Sequence, residues 1–186
     1  MLFSQVTIVF LSSLEPTTLS TTQQNLVVQS TLDNGVLIFN GTNNFINNSA
    51  NNGSATYAVT NISLSFIGTN NFTHNSAGIQ GGAVFTSDNG SLTFNGTNNF
   101  INNSASKSGA IYVAINVSLS FIGTNNCTHN STVINGGTVL TAGNGVLTFN
   151  GINKFINNST NDGGAICAVT NRSLIFIGTN NIIHNL

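Results

Sequence analysis

Charge is nearly missing from this chain. Of 186 residues only four are Asp or Glu and three are Lys or Arg, 4% in all, against roughly a quarter in ordinary soluble domains. A net charge of −1 with three scattered cations offers nothing to neutralise a phosphate backbone. Nucleic acid is excluded as a partner, and an anionic lipid surface fails on the same count. Proline occurs once, at Pro16, and no stretch carries a sustained helical period with caps, so helices are excluded. The two cysteines, Cys127 and Cys167, say little about compartment. What is present is 40% hydrophobic residues, 34 Asn, 43 Ser plus Thr and 19 Gly. That is enough apolar material for a core, unlike a disordered chain, with solubility left to amides and hydroxyls.

The chain repeats itself. Leu37-Ile-Phe-Asn-Gly-Thr-Asn-Asn-Phe45 recurs at Leu64 to Phe72, Leu92 to Phe100, Leu119 to Cys127, Leu147 to Phe155 and Leu174 to Ile182, with starts 27, 28, 27, 28 and 27 residues apart. Alternate copies are the closer relatives: Phe39, Phe94 and Phe149 precede Asn, whereas Phe66, Phe121 and Phe176 precede Ile. The underlying unit is a pair of 55 residues, present three times without an internal linker.

Within a copy the apolar period is two. Leu64-Ser65-Phe66, Leu92-Thr93-Phe94 and Leu119-Ser120-Phe121 alternate apolar residues with hydroxyls, as a strand with one buried face requires. Gly and Asn punctuate every eight to ten residues, so each copy reads as three short strands, Ser63 to Ile67, Asn71 to Asn75 and Gly82 to Thr86 in the second. The predicted fold is all-β, a parallel β-helix of about six coils of 27–28 residues over 32–186. At the roughly 4.8 Å strand spacing it would stand about 29 Å tall.

Stacking places equivalent positions above one another. Leu37, Leu64, Leu92, Leu119, Leu147 and Leu174 become an internal column, and the series from Phe39 to Phe176 a second. Asn is poor in strands, yet Asn48, Asn75, Asn103, Asn130, Asn158 and Asn185 recur in phase, three residues after an aromatic or its replacement. Stacked amides donate to one neighbour and accept from the other, so this series is predicted to be a buried asparagine ladder. Gly81-Gly82-Ala83-Val84, Ser108-Gly109-Ala110-Ile111, Gly136-Gly137-Thr138-Val139, Gly163-Gly164-Ala165-Ile166 and a weaker Gly53-Ser54-Ala55-Thr56 mark a tight corner.

The joint recurrence of Phe-x-x-Asn (Phe45 to Asn48, Phe72 to Asn75, Phe100 to Asn103, Phe155 to Asn158) and Gly-Gly-Ala-Ile/Val (Gly81 to Val84, Gly163 to Ile166) resembles the repeat of the polymorphic outer membrane protein family. The resemblance spans about residues 32 to 186. It implies a right-handed parallel β-helix, the pectin-lyase-like passenger of an adhesin, in a bacterial outer membrane or secreted, although similar repeats occur in eukaryotic surface proteins. Cys127 and Ile182 depart from the motif Phe, and no segment resembles the family's membrane-embedded barrel.

Residues 1–31 stand apart: an apolar segment to Leu14, apolar like a signal-peptide core but with no Lys or Arg before Lys107, a polar connector over 15–25, and an expected capping strand over 25–31. The array stops after Asn185, before the Gly-Gly-Ala strand of earlier copies, so it is expected to be truncated.

Enzymatic β-helices need clustered carboxylates and a cation for a uronate. The acids here are Glu15, Asp33, Asp88 and Asp162, and the cations Lys107, Lys154 and Arg172. Asp33 and Asp88 fall in equivalent turns two coils and so about 10 Å apart, and the rest scatter. The expectation is no catalysis, with a carbohydrate-active fragment as the alternative. His74, His129 and His184, at 55-residue intervals, suffer the same separation and cannot share a metal ion. No cofactor or metal is expected. Cys127 fills a Phe slot and Cys167 the slot of Tyr57, Phe85, Tyr112 and Leu140, which makes a disulfide between them improbable.

Asn-x-Ser/Thr occurs 14 times, where chance pairing at this composition gives about 8. Asn61, Asn116 and Asn171, in the turn before the first strand, are the best acceptors in a secretory pathway, and the composition alone is the competing account. The column Thr42, Thr69, Thr97, Thr124 and Thr179, with Ser65, Thr93, Ser120 and Thr148 beside it, raises ice or crystal binding, against which Ile152 interrupts the first column. The sequence therefore favours a non-catalytic extracellular or cell-surface stalk, structural or adhesive, with a surface protein or glycan as partner.

Overall fold

The computed structural model describes residues 7–11, 17–20, 26–30, 35–170 and 172–186. Among them are eighteen strands and no helix, and every strand pairing is parallel. The chain is a β-solenoid of about five turns, as the repeat predicts.

One sheet stacks the long strands Thr17–Ser20, Val36–Ile46, Ser63–Thr73, Ser91–Ile101, Ser118–Thr128, Gly145–Ile156 and Arg172–Ile183 in chain order. A short sheet holds Ser49–Asn52, Ser76–Gln80, Ser104–Ala105 and Ser131–Thr132. The third holds Thr7–Leu11, Leu26–Ser30, Thr56–Ala58, Val84–Thr86, Ile111–Val113, Val139–Ala142 and Ile166–Val169. Register follows the repeat, with Leu64 on Leu37 and Leu92, and Phe66 on Phe39 and Phe94.

The coil differs from three separate short strands. The expected strands Ser63 to Ile67 and Asn71 to Asn75 are limbs of one continuous strand, Ser63–Thr73. They meet at Gly68, whose φ is +100°, and Gly41, Gly96, Gly123, Gly151 and Gly178 repeat this between +88° and +117°. A Cβ on Gly68 would collide with the carbonyl oxygen of Gly41, and every later member of the column meets its predecessor in the same way. Glycine is required here on two counts, dihedral and space, and bends the strand without breaking its pairing. The short sheet uses Ser76–Gln80, between the expected second and third strands, and the last strand begins at Val84 instead of Gly82.

Burial follows the period of two. In the second coil Leu64, Phe66, Asn70 and Phe72 point inward, while Ser65, Ile67, Thr69, Asn71 and Thr73 lie on the outer side. Phe39, Phe66, Phe94, Phe121, Phe149 and Phe176 stack ring on ring at 4.7–5.2 Å. Phe45, Phe72 and Phe100 form a second stack at 4.6–4.7 Å, edge-on to the first across the glycine bend. Cys127 interrupts that second stack before Phe155. Leu174 and Phe176 are members of the internal columns, yet they are 44% and 42% exposed because Arg172–Ile183 is the edge strand of its sheet.

Towards the N-terminus Leu26–Ser30, in the segment expected to cap the array, pairs in parallel with Thr7–Leu11 and with Thr56–Ala58. Thr17–Ser20, inside the expected polar connector, pairs with Leu37–Asn40. The signal-peptide reading of Met1 to Leu14 falls largely outside the described residues.

Candidate functional site

The predicted ladder is present. Nδ2 of Asn48, Asn75, Asn103, Asn130 and Asn158 donates to Oδ1 of the next member, ending on Asn185, at 2.8–3.0 Å. Each backbone N–H of the same residues donates to that same Oδ1 at 2.9–3.1 Å. The second Nδ2 proton goes to a carbonyl one coil back: Asn75 to Phe45, Asn103 to Phe72, Asn130 to Phe100, Asn158 to Cys127 and Asn185 to Phe155, at 2.8–3.0 Å. Both protons and both lone pairs of an interior member are thereby used, which is what lets an amide sit at 0% exposure in Asn75, Asn103, Asn130 and Asn158.

Two further ladders run beside this one. Asn43, Asn70, Asn98, Asn125, Asn153 and Asn180 are joined Nδ2 to Oδ1 at 2.8–2.9 Å, the first five of them buried. Next to them, half-buried on the outer side, Asn71, Asn99 and Asn126 donate back to Asn44, Asn71 and Asn99 at 2.8 Å. This third ladder stops where Lys154 replaces Asn. Both series recur in phase in the sequence, but the position of Asn70 between the expected strands Ser63 to Ile67 and Asn71 to Asn75 gives no sign that it faces inward.

The histidines lie in a corner and not, as expected, in a strand. Asn47, His74, Asn102, His129, Asn157 and His184 occupy one column, all with φ of +51° to +56°, a conformation Asn and His tolerate better than most residues. Asn102 donates to Nε2 of His74 at 3.2 Å and Asn157 to Nε2 of His129 at 3.3 Å. Among the described residues no three His, Cys, Asp or Glu converge as metal ligands. Cys127 and Cys167 are both free thiols, and burial pushes the Cys127 thiol far up from its ordinary range.

Of the acids, Asp88 occupies a left-handed corner before a long strand, and Asp162 is exposed beside Asn135 in another. Glu15 and Asp33 lie outside the described residues. Lys107 bridges to Gln80, and Lys154 is exposed at the end of the third ladder. Lys107 and Asp162 fall in one corner column two coils apart, with Asn135 between them, and neither Asp88 nor Lys154 shares that column.

Several of the sequons lie in corners, whereas Asn40, Asn71, Asn95 and Asn126 lie within the long strands. Asn61 and Asn116 are exposed with φ of +56° and +55°, and Asn116 donates to Asn89 at 2.9 Å, while Asn171 lies outside the described residues. At the equivalent positions of the sequence repeat Asn is kept at Asn34 and Asn144, where Val36 and Val146 remove the sequon. In the other corner Ser is kept at Ser76 and Ser131, where His74 and His129 remove it. Asn and Ser thus vary independently, each serving its own turn or strand. Asn130 and Asn158 are buried and closed to modification.

The outer side of the long strands presents two strips that meet at the glycine bend. On the first limb the column Ser65, Thr93, Ser120 and Thr148 runs beside Asn40, Ile67, Asn95, Ile122 and Asn150, all exposed, with Ile67 and Ile122 at 38%. On the second limb Thr42, Thr69, Thr97 and Thr124 run beside the third ladder, and beyond it Ile46, Thr73, Ile101 and Thr128 alternate. No ionisable group interrupts either strip over these four coils. No family model, no curated protein and no solved structure matches this chain.

Proposed function

We propose that the protein is a non-catalytic extracellular or cell-surface stalk, structural or adhesive, that binds along its flank. The observation that carries this reading is the in-register outer side of the long strands, which repeats the same small polar side chains from coil to coil. Such a flank offers many equal weak contacts in place of a pocket, and affinity then comes from avidity. The likeness of the Phe-x-x-Asn and Gly-Gly-Ala repeats to adhesin passengers of the polymorphic outer membrane protein family supports the surface location. A surface protein or a glycan is the class of partner this reading calls for, and no cofactor enters it.

The test compares the whole chain with a version lengthened by one more 55-residue pair, on cultured cells and on immobilised matrix proteins. A repeated adhesive flank binds more tightly when lengthened. An inert spacer binds in neither form, and turnover of a glycan substrate by the original chain would replace the stalk with an enzyme.

A further inference from the structure

We infer that the second-limb strip is the binding surface and that its partner is a neutral, extended polysaccharide. This inference rests on the adhesive reading above and deepens it. The strip consists of Thr42, Thr69, Thr97 and Thr124, the third ladder of Asn44, Asn71, Asn99 and Asn126, and the alternating Ile46, Thr73, Ile101 and Thr128.

What the strip lacks narrows the partner first. It has no charge over four coils, so a polyanion or polycation would lose its hydration and meet no counter-charge. It is built on a regular parallel sheet that repeats the same side chains from coil to coil, whereas a small molecule is held by a few unlike groups that converge on one point. It carries no aromatic side chain, so it holds none of the residues that usually anchor a protein partner.

What the strip holds narrows it further. An Asn side chain has two N–H donors and two acceptor lone pairs. In Asn71 and Asn99 the ladder consumes one donor and one acceptor at 2.8 Å, leaving one of each, held in orientation by the coils on either side. The amides are therefore fixed before any partner arrives, which lowers the entropic cost of contact. The Thr column adds a hydroxyl per coil on one flank, and Ile46 and Ile101 add methyl surface on every second coil of the other. Alternating donors, acceptors and aliphatic patches, without charge, complement a neutral sugar ring, which shows hydroxyls at its edge and C–H groups on its face. Repetition at the roughly 4.8 Å coil spacing calls for a partner that repeats as well, hence a polymer.

The experiment incubates the whole chain with microcrystalline cellulose and with chitin particles, and with immobilised heparin and polygalacturonate as charged probes, measuring depletion from solution. Two double variants place bulk and charge on the second and fourth coils: Thr69→Arg with Thr124→Arg on the proposed strip, and Ser65→Arg with Ser120→Arg on the first limb. Circular dichroism checks that both keep the strand spectrum. The expected result is binding to at least one neutral particle, weakened about tenfold or more by the Thr pair and unchanged by the Ser pair. Equal loss in both pairs, or loss in the Ser pair alone, overturns the assignment of the strip. Binding confined to heparin or polygalacturonate, or inhibition of ice growth without glycan binding, overturns the partner class. Adhesion to cells that persists while every polysaccharide fails also overturns it and leaves the adhesive reading standing, whereas failure of both overturns both.

Discussion

Replacing Asn103 by Ala tests the central ladder at its middle. Four hydrogen bonds involve the Asn103 side chain: to Asn130 Oδ1 and the Phe72 carbonyl as donor, and from the Nδ2 and backbone N–H of Asn75 as acceptor. Asn130 Oδ1 keeps the Asn103 backbone N–H, and Asn75 Nδ2 keeps the Phe45 carbonyl. The Asn75 backbone N–H and the Phe72 carbonyl lose these partners outright, and one Asn75 amide proton is stranded as well. Three buried polar groups at about 1–3 kcal/mol each, reduced by local relaxation, give a loss of about 3–5 kcal/mol. Asn98→Ala strands one donor and one acceptor in a ladder without the extra carbonyl and backbone bonds, and should cost about 2–3 kcal/mol. Asn99→Ala removes two bonds at a half-buried site that water reaches, about 1 kcal/mol or less. Urea melts followed by far-ultraviolet circular dichroism read the order directly as midpoint shifts at unchanged slope. If Asn103→Ala moves the midpoint no further than Asn99→Ala, the ladder is not a buried network and the reasoning fails.

Gly96→Ala should cost about 2–5 kcal/mol, since φ is +110° and the new Cβ meets the Gly68 carbonyl. An urea midpoint within error of the parent would show that the bend is not glycine-dependent. Cys127→Phe should restore the interrupted stack between Phe100 and Phe155 and stabilise by about 1–2 kcal/mol; a lower melting temperature would mean the coil has closed around the thiol. Thr86 and Thr141 are fully buried with unpartnered hydroxyls, in one column with Val113. Thr86→Val should therefore raise stability by about 1 kcal/mol, and a destabilised variant in the same melt would reveal a partner for that hydroxyl.

Much of this molecule is legible before any coordinates are considered, because a solenoid turns sequence period into spatial adjacency. Leu64 contacts Leu37 and Leu92 for the same reason that it aligns with them, so the inward columns and the Asn75 ladder follow from phase and from the period of two. That logic reaches the ladder of Asn70 and Asn98 too, but Asn70 falls between the expected strands Ser63 to Ile67 and Asn71 to Asn75, which gives no sign that it faces inward. Only the folded chain showed that Gly68 bends a strand whose pairing continues through it, which turns Asn70 inward and Asn71 outward on the same limb.

The histidine corner shows the same division. The 55-residue recurrence of His74, His129 and His184 is plain in the sequence and marks an inherited position. That the position is left-handed, which explains why only Asn and His alternate there, depends on backbone dihedrals. The sequons divide likewise, since their number and spacing are read from the sequence, whereas the burial of Asn130 and the exposure of Asn116 belong to the fold. The sequence by itself determined which residues stack on which, because neighbours one coil apart are neighbours in the repeat. The tertiary structure alone decided where the coil bends and therefore which faces meet solvent, because the recurring glycine marks a position in the chain, whereas whether the strand there turns away or bends and goes on pairing depends on its dihedrals and on the neighbouring coil.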